Sequence, residues 1–201
     1  MSKYFSLKGM NEQELKEYCK MHSYPSFHGE QIYRWLYKAK CDNYHEMKNV
    51  PKGLLATFNE NQKLSTLNIK SSSTSKIDKT VKYLLQTNDE NFIETVSMID
   101  KGRHTVCISS QIGCNVDCDF CATGKMGIIR NLNAAEIIDQ IIIVQKNVST
   151  PISNIVFMGM GEPFLNYSNV IKTCNIFSDS KAFNLSSKRI TISTSGILPK
   201  I

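Results

Sequence analysis

The sequence predicts a mixed α/β protein with a helical front, a strand-rich middle and a region of parallel βα units. Three observations indicate this class: helical periodicity in roughly the first sixty residues, short strand-like segments between about 64 and 110, and alternating strands and helices after Cys121. We therefore divide the chain into residues 1–62, 63–103 and 104–201. The hydrophobic fraction of 41% is sufficient for a packed core.

Three short helices are predicted in the front region. Asn11 precedes an amphipathic run with Leu15 and Cys19 on one face, a second helix begins near Gly29, and Pro51 suits the first turn of a third. The middle region reads as strand-rich hairpins separated by polar turn residues. Its predicted strands are 67–70, 81–86, 92–99 and 105–109.

The last region reads as strand, helix, strand, helix, strand. Asn133 is suited to cap a helix over 134–147, which is followed by a strand over 154–158, a helix over 167–178 and a strand over 189–194. Parallel βα units place functional loops at the C-terminal ends of their strands. Three such strands cannot close a barrel, so we expect a longer natural chain or a partner over the last strand.

Composition narrows the possible cellular settings. The sequence has no run of 18 or more apolar residues and no apolar segment at its start, which favours a cytoplasmic protein without a membrane span. Seven cysteines, an odd number, indicate free thiols rather than a disulfide framework. The net charge of +6 suits a polyanion such as RNA, although an ordinary basic protein would have the same charge.

Three cysteines follow one of the predicted strands in a C-x3-C-x2-C spacing. They are Cys114, Cys118 and Cys121. A cubane iron–sulfur cluster normally takes four thiolates, so three would leave one iron open to a substrate with an amine and a carboxylate, as in the methionine end of S-adenosylmethionine. A zinc site and unliganded thiols are the alternatives, but zinc favours four ligands in paired C-x2-C motifs.

This spacing, with Phe120 before the third cysteine, resembles the radical S-adenosylmethionine superfamily. Within it, the sequence is similar to the RlmN/Cfr-type 23S rRNA adenine methyltransferases from about Phe92 onward, and more weakly through the helical front. The resemblance implies the N-terminal half of a partial (βα)6 TIM-like barrel, behind a helix-hairpin-helix-like domain and a β-hairpin extension. The similar segments are VCISSQIGC (106–114), RNL (130–132), GMGEP (159–163) and ISTSG (192–196).

The resemblance also implies which residues bind the cofactors. Cys114, Cys118 and Cys121 correspond to the ligands of a [4Fe–4S] cluster. Gly161 and Glu162 correspond to a pair that contacts the amino group of S-adenosylmethionine, and a strand-end glycine and carboxylate suit that contact on physical grounds. Ser193 corresponds to a further contact with S-adenosylmethionine, although its position alone is equally typical of a plain strand-end serine.

Two catalytic residues are implied as well. Glu94 corresponds to a proton acceptor, and strand alternation places it on one face with Phe92, Val96 and Met98. An ordinary strand-edge acid is the alternative. Cys107 corresponds to a redox-active thiol that helps to resolve a methyl-cysteine intermediate, and the alternative is a small buried apolar residue.

The implied activity is methylation of C2 of adenosine 2503 in 23S rRNA and of adenosine 37 in tRNAs, with an electron-donor protein such as flavodoxin. The helical front would grip RNA, and Lys125 and Arg130 would meet phosphates near the cluster. Two alternatives remain: a Cfr-type C8 methyltransferase, and a truncated, non-catalytic iron–sulfur or RNA-binding module. No cysteine after Cys174 is present to serve as the methylated thiol.

Overall fold

The computed structural model describes residues 6–58 and 64–197. Within them the chain is a mixed α/β structure whose elements agree closely with the predicted ones. The helices are α1 (Glu12–Met21), α2 (Phe27–Arg34), α3 (Lys52–Thr57), α4 (Ala134–Asn147) and α5 (Tyr167–Ser178). The strands are β1 (Leu67–Thr74), β2 (Val81–Thr87), β3 (Phe92–Asp100), β4 (Arg103–Cys107), β5 (Gln111–Cys114), β6 (Gly127–Asn131), β7 (Asn154–Phe157) and β8 (Ile190–Ile192).

The helical front begins with a capping box. The Asn11 side chain accepts the Glu14 amide while the Glu14 carboxylate accepts the Asn11 amide, so two otherwise unpaired groups at the start of α1 are satisfied. Helix α2 continues into a π-helical turn, Trp35–Ala39, and ends where Lys40 adopts a left-handed conformation at φ 56°.

This front packs against α4 through a buried ion pair between Lys8 and Asp139. Asp139 also accepts hydrogen bonds from the amide and hydroxyl groups of Thr66, which just precedes β1. One hydrophobic core runs from the front helices into the sheet. Because this core is shared, it does not mark domain boundaries, and the predicted boundaries at residues 62 and 103 stay a prediction.

The main sheet has six strands in the order β1-β2-β3-β4-β7-β8. Strands β1 to β4 are antiparallel neighbours, whereas β4, β7 and β8 are parallel. The predicted hairpins and parallel βα units are thus confirmed, and the hairpins extend the same sheet. The parallel strands form an open sheet in the part of the chain that the structure describes, so the barrel is not closed.

The two faces of this sheet differ in burial. On one face Ile93, Thr95 and Ile155 are buried, and the Thr95 hydroxyl donates to Gln140 of α4. The other face carries Glu94, Val96 and Cys107, which are only half-buried. Cys107 lies directly opposite both Val96 and Val156, so these side chains share the open face.

Strands β5 and β6 form a separate two-stranded hairpin that the sequence did not predict. The segment that connects them holds Cys118 and Cys121, and Cys114 is the last residue of β5. A register shift after Ile112 and the positive φ of Gly113 break the simple alternation by which a strand is recognised.

Membrane insertion by a helix has no support in residues 6–58 and 64–197, where every helix is too short or too polar to cross a bilayer.

Candidate functional site

Three loops follow the parallel strands, in chain order, at the C-terminal edge of these strands. The cysteine loop, residues 115–126, is carried by the β5–β6 hairpin that follows β4. The GE loop, residues 159–166, follows β7, and residues 193–196 follow β8. Loops at this edge of a parallel sheet are the usual location of binding and catalytic groups. The sequence-based prediction of where the site lies is therefore consistent with the topology.

The cysteine loop is built from local turns. The Cys121 amide donates to the Cys118 carbonyl at 2.9 Å, and the Gly124 amide donates to the Cys121 carbonyl at 3.2 Å. The loop begins beyond Gly113, where a Cβ atom would lie 1.8 Å from the Gly127 carbonyl oxygen. Only glycine fits there, because the two stems of the hairpin touch at that point.

The three thiols suit an iron–sulfur cluster in their chemistry. All are free, Cys114 is buried, and Cys118 and Cys121 are half-buried. A hydrogen bond from the Gly124 backbone, aided by Thr123 and opposed by slight burial, lowers the pKa of Cys121 and favours the thiolate that binds metal. Among the residues that the structure describes, however, no three His, Cys, Asp or Glu side chains converge closely enough to hold a metal ion.

Phe120 stands out on this loop because its side chain is 93% exposed. An aromatic ring in water is an unfavourable arrangement unless something covers it.

The GE loop is held tightly against β5. Gly161 has φ 96°, and a Cβ atom there would lie 2.5 Å from the Gln111 Cβ atom. The adjacent Glu162 is 5% exposed, and its amide donates to Gln111 Oε1 at 2.8 Å. The loop therefore requires a glycine at 161 and fixes the backbone of Glu162.

The Glu162 carboxylate joins two of the three loops. Its Oε1 atom accepts the Phe164 amide at 2.9 Å, and its Oε2 atom accepts the amide and hydroxyl of Ser195 at 2.7 and 3.0 Å. Burial raises the pKa of Glu162, but the hydrogen bonds from Ser195, Phe164 and Thr194 outweigh it and leave the pKa below its ordinary value. The group is therefore held as a carboxylate.

Ser193 and Ser195 lie on the same loop but make different contacts. Ser193, the predicted cofactor contact, is exposed just after β8, and its amide reaches the Phe157 carbonyl at 3.4 Å. Strand alternation places it on the open face, two residues beyond Thr191, which pairs with Val156. Ser195, which sequence reasoning did not single out although it lies in the ISTSG segment, is the residue that binds Glu162.

Glu94 lies on the predicted strand face, and it has a partner there that the alternation did not predict. Its carboxylate accepts a hydrogen bond from the Lys82 ammonium at 2.8 Å, and the Glu94 side chain is 45% exposed. Alternation identifies the face on which Glu94 lies but gives no information about residues on the next strand. Lys82 is the diagonal neighbour on β2, opposite Val96.

Cys107 is the thiol on the open face of β4. Burial raises the pKa of the Cys107 thiol, and a hydrogen bond with the Met158 backbone only partly offsets this effect. The thiol form is therefore favoured near neutral pH. Because Met158 directly precedes the GE loop, Cys107 lies at the base of the three-loop edge.

Arg130, one of the two predicted phosphate contacts, is paired with carboxylates within the protein. Its guanidinium binds Asp89 and Glu136 through four hydrogen bonds of 2.7 to 2.9 Å, so most of its donors are already engaged, and the phosphate contact stays a prediction. The sequence shows the positive charge but not its partners, which lie on the β2–β3 turn and on α4. Lys125 is exposed, and its proposed role is untested.

Comparison with known proteins agrees with the fold. Residues 5–64 match the family described as "Ribosomal RNA large subunit methyltransferase N-terminal domain". Residues 108–201 match the family described as "Radical SAM superfamily". These loops and this open sheet thus define a radical SAM protein.

Similar full-length proteins narrow the assignment. The chain is 41% identical over 188 residues to a probable dual-specificity RNA methyltransferase RlmN of Clostridium novyi, covering 94% of this chain and 55% of that protein. It is 45% identical over 171 residues to one of Pseudothermotoga lettingae, covering 85% and 50%. The crystal structure of a radical SAM methyltransferase from Sphaerobacter thermophilus superposes with a TM-score of 0.88 at 36% identity, covering 97% of this chain and 58% of that one.

The chain belongs to the RlmN family of radical SAM methyltransferases. It spans about half the length of the curated relatives that it matches.

Proposed function

We propose that this chain provides the cofactor-binding part of an RNA methyltransferase that transfers a methyl group to C2 of adenine in 23S rRNA and tRNA. The observation that carries this proposal is the placement of three loops after strands at one edge of the sheet, where Glu162 bonds to Ser195 and to Gln111, next to an open face that holds Glu94 and Cys107. The similarity to proteins named as RNA methyltransferases supports the same activity.

In this proposal Cys114, Cys118 and Cys121 hold a [4Fe–4S] cluster. Three thiolates leave one iron without a protein ligand, which is the position that S-adenosylmethionine would occupy. When bound, the cluster supplies the electron that cleaves S-adenosylmethionine reductively. An electron-donor protein such as flavodoxin would reduce it in the cytoplasm.

Gly161, Glu162 and Ser193 would bind S-adenosylmethionine. The φ of 96° at Gly161 and the close packing of Gln111 against it fix the loop backbone that would contact the ligand. Glu162 is anionic and buried, so a ligand ammonium would find a carboxylate whose orientation is already set by Ser195 and Phe164. Ser193 is exposed at the end of β8, the strand that neighbours β7.

Glu94 and Cys107 would carry out the proton and thiol steps. The Glu94 carboxylate, fixed by Lys82, faces the open side of the sheet and would accept a proton from the substrate carbon. Cys107 lies on the same face and would resolve the covalent link between a methyl-cysteine and the adenine. An adenine in folded RNA must be turned out of its stack to reach this face.

Nucleoside analysis after a methylation assay tests the proposal. The iron-loaded chain, fused to the C-terminal half of an RlmN relative so that a cysteine is available for methylation, is incubated anaerobically with a reductant, unmodified 23S rRNA and S-adenosylmethionine bearing an isotopically labelled methyl group. We expect label in 2-methyladenosine, and loss of that label in Cys118→Ala and Glu94→Gln. Label at C8 would indicate the Cfr-type reaction, and absence of any labelled adenosine would contradict a methyltransferase role for this chain.

A further inference from the structure

The base of the cysteine loop is joined to the GE loop by a set of side-chain amides. Gln111, the first residue of β5, is 2% exposed. Its Oε1 atom accepts the Glu162 amide at 2.8 Å, and its Nε2 atom donates to Asn131 Oδ1 at 2.7 Å. One side chain therefore touches the GE loop and both strands of the hairpin that carries the cysteines.

Two asparagines complete this connection. Asn131, the last residue of β6, donates to the Leu165 carbonyl at 3.2 Å. Asn166, which is 3% exposed, donates to the carbonyls of Ser110 and Leu132 at 2.7 Å each. We call Gln111, Asn131 and Asn166 the amide clasp, because together they tie both stems of the cysteine loop to the GE loop.

The clasp is closely packed as well as hydrogen-bonded. Gly161 leaves no room for a Cβ atom, since the Gln111 backbone nitrogen would lie 2.8 Å from it. The amides of Ser110 and Gln111 also donate to the Met160 carbonyl at 2.9 and 3.1 Å. Buried amide groups that lose a partner keep their full desolvation cost, so these contacts favour a single arrangement.

The local turns of the cysteine loop determine its internal shape, whereas the clasp joins the loop to the rest of the site. The backbone hydrogen bonds described above for that loop join residues three positions apart. Gln111 lies three residues before Cys114, and Asn131 lies five residues after the loop ends at Met126. The clasp is therefore placed to set where the cysteine loop stands relative to Glu162.

We propose that Gln111 and Asn131, with Asn166, are positioning residues that hold the iron-binding loop and the S-adenosylmethionine-binding loop in one relative arrangement. This inference rests on the proposed function. None of the three side chains needs to touch the metal. Their loss should leave iron binding largely intact and should impair the contact between bound S-adenosylmethionine and the cluster.

Gln111→Met tests the proposal most strongly, since methionine has a similar volume and removes both side-chain hydrogen bonds. The reconstituted chain is assayed for iron content, for S-adenosylmethionine affinity, and for the change that S-adenosylmethionine causes in the electron paramagnetic resonance spectrum of the reduced cluster. We expect iron close to the wild-type level, an affinity about tenfold weaker from two lost hydrogen bonds, and a diminished spectral change.

A pair of variants at Asn131 separates positioning from folding. The residue is exposed, so Asn131→Ala should fold, yet it removes the acceptor of Gln111 and should weaken binding several-fold. Asn131→Asp keeps that acceptor and should restore most of the affinity and of the spectral change. If the Asn131 side chain only filled space, the hydrogen-bond acceptor that aspartate keeps would make no specific difference to the affinity or to the spectral change.

Gln145→Met is the matched control. Gln145 also accepts a backbone amide and donates to a carbonyl, but it does so at the opposite end of α4. We expect it to leave S-adenosylmethionine affinity unchanged. Wild-type affinity and spectral response in both Gln111→Met and Asn131→Ala would overturn the clasp, as would equal weakening by Gln145→Met. A wild-type chain that takes up no iron would instead overturn the proposed function, and the clasp with it.

Discussion

The GE loop and the cysteine loop lie at the same edge of the sheet but are held in place in different ways. The GE loop bonds to distant parts of the chain: Met160 binds Ser109, and Glu162 binds Gln111, in each case across 51 positions of sequence. The cysteine loop is organised by turns between near neighbours, such as Cys118 and Cys121. One loop is part of the folded core, and the other lies outside it.

This difference indicates how the two loops would acquire their binding geometry. Tertiary hydrogen bonds form the GE loop during folding, before any ligand arrives. A loop that is held by local turns would gain further order from its metal, because metal binding supplies folding free energy. The comparison therefore predicts that mutations damage the GE loop through stability and the cysteine loop through metal uptake.

The largest difference in unfolding free energy is expected between glycine-to-alanine substitutions in the two loops. Gly161→Ala forces a Cβ atom to 2.5 Å from Gln111 at φ 96°, so we expect a loss of about 3 kcal/mol in the free energy of unfolding. Gly124→Ala meets nothing closer than 3.3 Å and should cost less than about 1 kcal/mol. Urea denaturation of both variants measures the contrast, and equal losses would remove the distinction between the loops.

A smaller effect is expected for Glu162→Gln. The substitution weakens the hydrogen bonds from Ser195 and Phe164 and should cost about 1–3 kcal/mol of unfolding free energy at pH 7. Because the folded pKa of Glu162 is lowered, its contribution is complete above the ordinary value of 4.5 and declines as pH falls through the folded pKa.

Urea denaturation of wild type and Glu162→Gln at pH 7 and at acidic pH tests this dependence. The difference between the two proteins should narrow below about pH 4.5. Glu17→Gln, at an exposed site on α1, serves as the control with little effect at either pH. A difference that stays constant on acidification would contradict the assigned pKa direction.

The smallest expected effect is a difference between cysteines in their rates of chemical labelling in the metal-free chain. The Gly124 backbone lowers the pKa of Cys121, whereas burial raises the pKa of Cys41 to about 11 and that of Cys174 to about 12. We therefore expect iodoacetamide to modify Cys121 more than about ten times faster than Cys41 near pH 7.5. Mass spectrometry follows the rates, and iron loading should protect Cys121. Equal rates, or no protection by iron, would count against the loop as a thiolate site.

The sequence predicted the elements well where local signals agree with the fold. Asn133 and Glu136 form the capping box that starts α4, and the strand and helix order after Cys121 is as predicted. The β5–β6 hairpin was missed because it is short and its register shifts after Ile112. The alternation of apolar and polar residues gives little information about strands of only four or five residues.

Sequence motifs predicted the chemical types of the site residues but not their partners in the folded chain. The chemistry of the cysteines and the acidity of Glu162 can be read from residue types. The pairing of Lys82 with Glu94, of Arg130 with Asp89 and Glu136, and of Gln111 with Glu162 depends on which strands become neighbours. Neutral amides such as Gln111 have no distinctive spacing, so although Gln111 lies in the VCISSQIGC segment its residue type does not indicate its role.

The most direct test of this account is iron analysis with electron paramagnetic resonance on the anaerobically reconstituted chain. We predict about four irons per chain, by the composition of a cubane cluster, and a reduced-state signal that changes when S-adenosylmethionine is added. The variant with alanine at 114, 118 and 121 should have neither. Full iron uptake by that variant, or a colourless zinc ion in the wild-type loop, would contradict the claim that these three thiolates hold a cluster with one open iron.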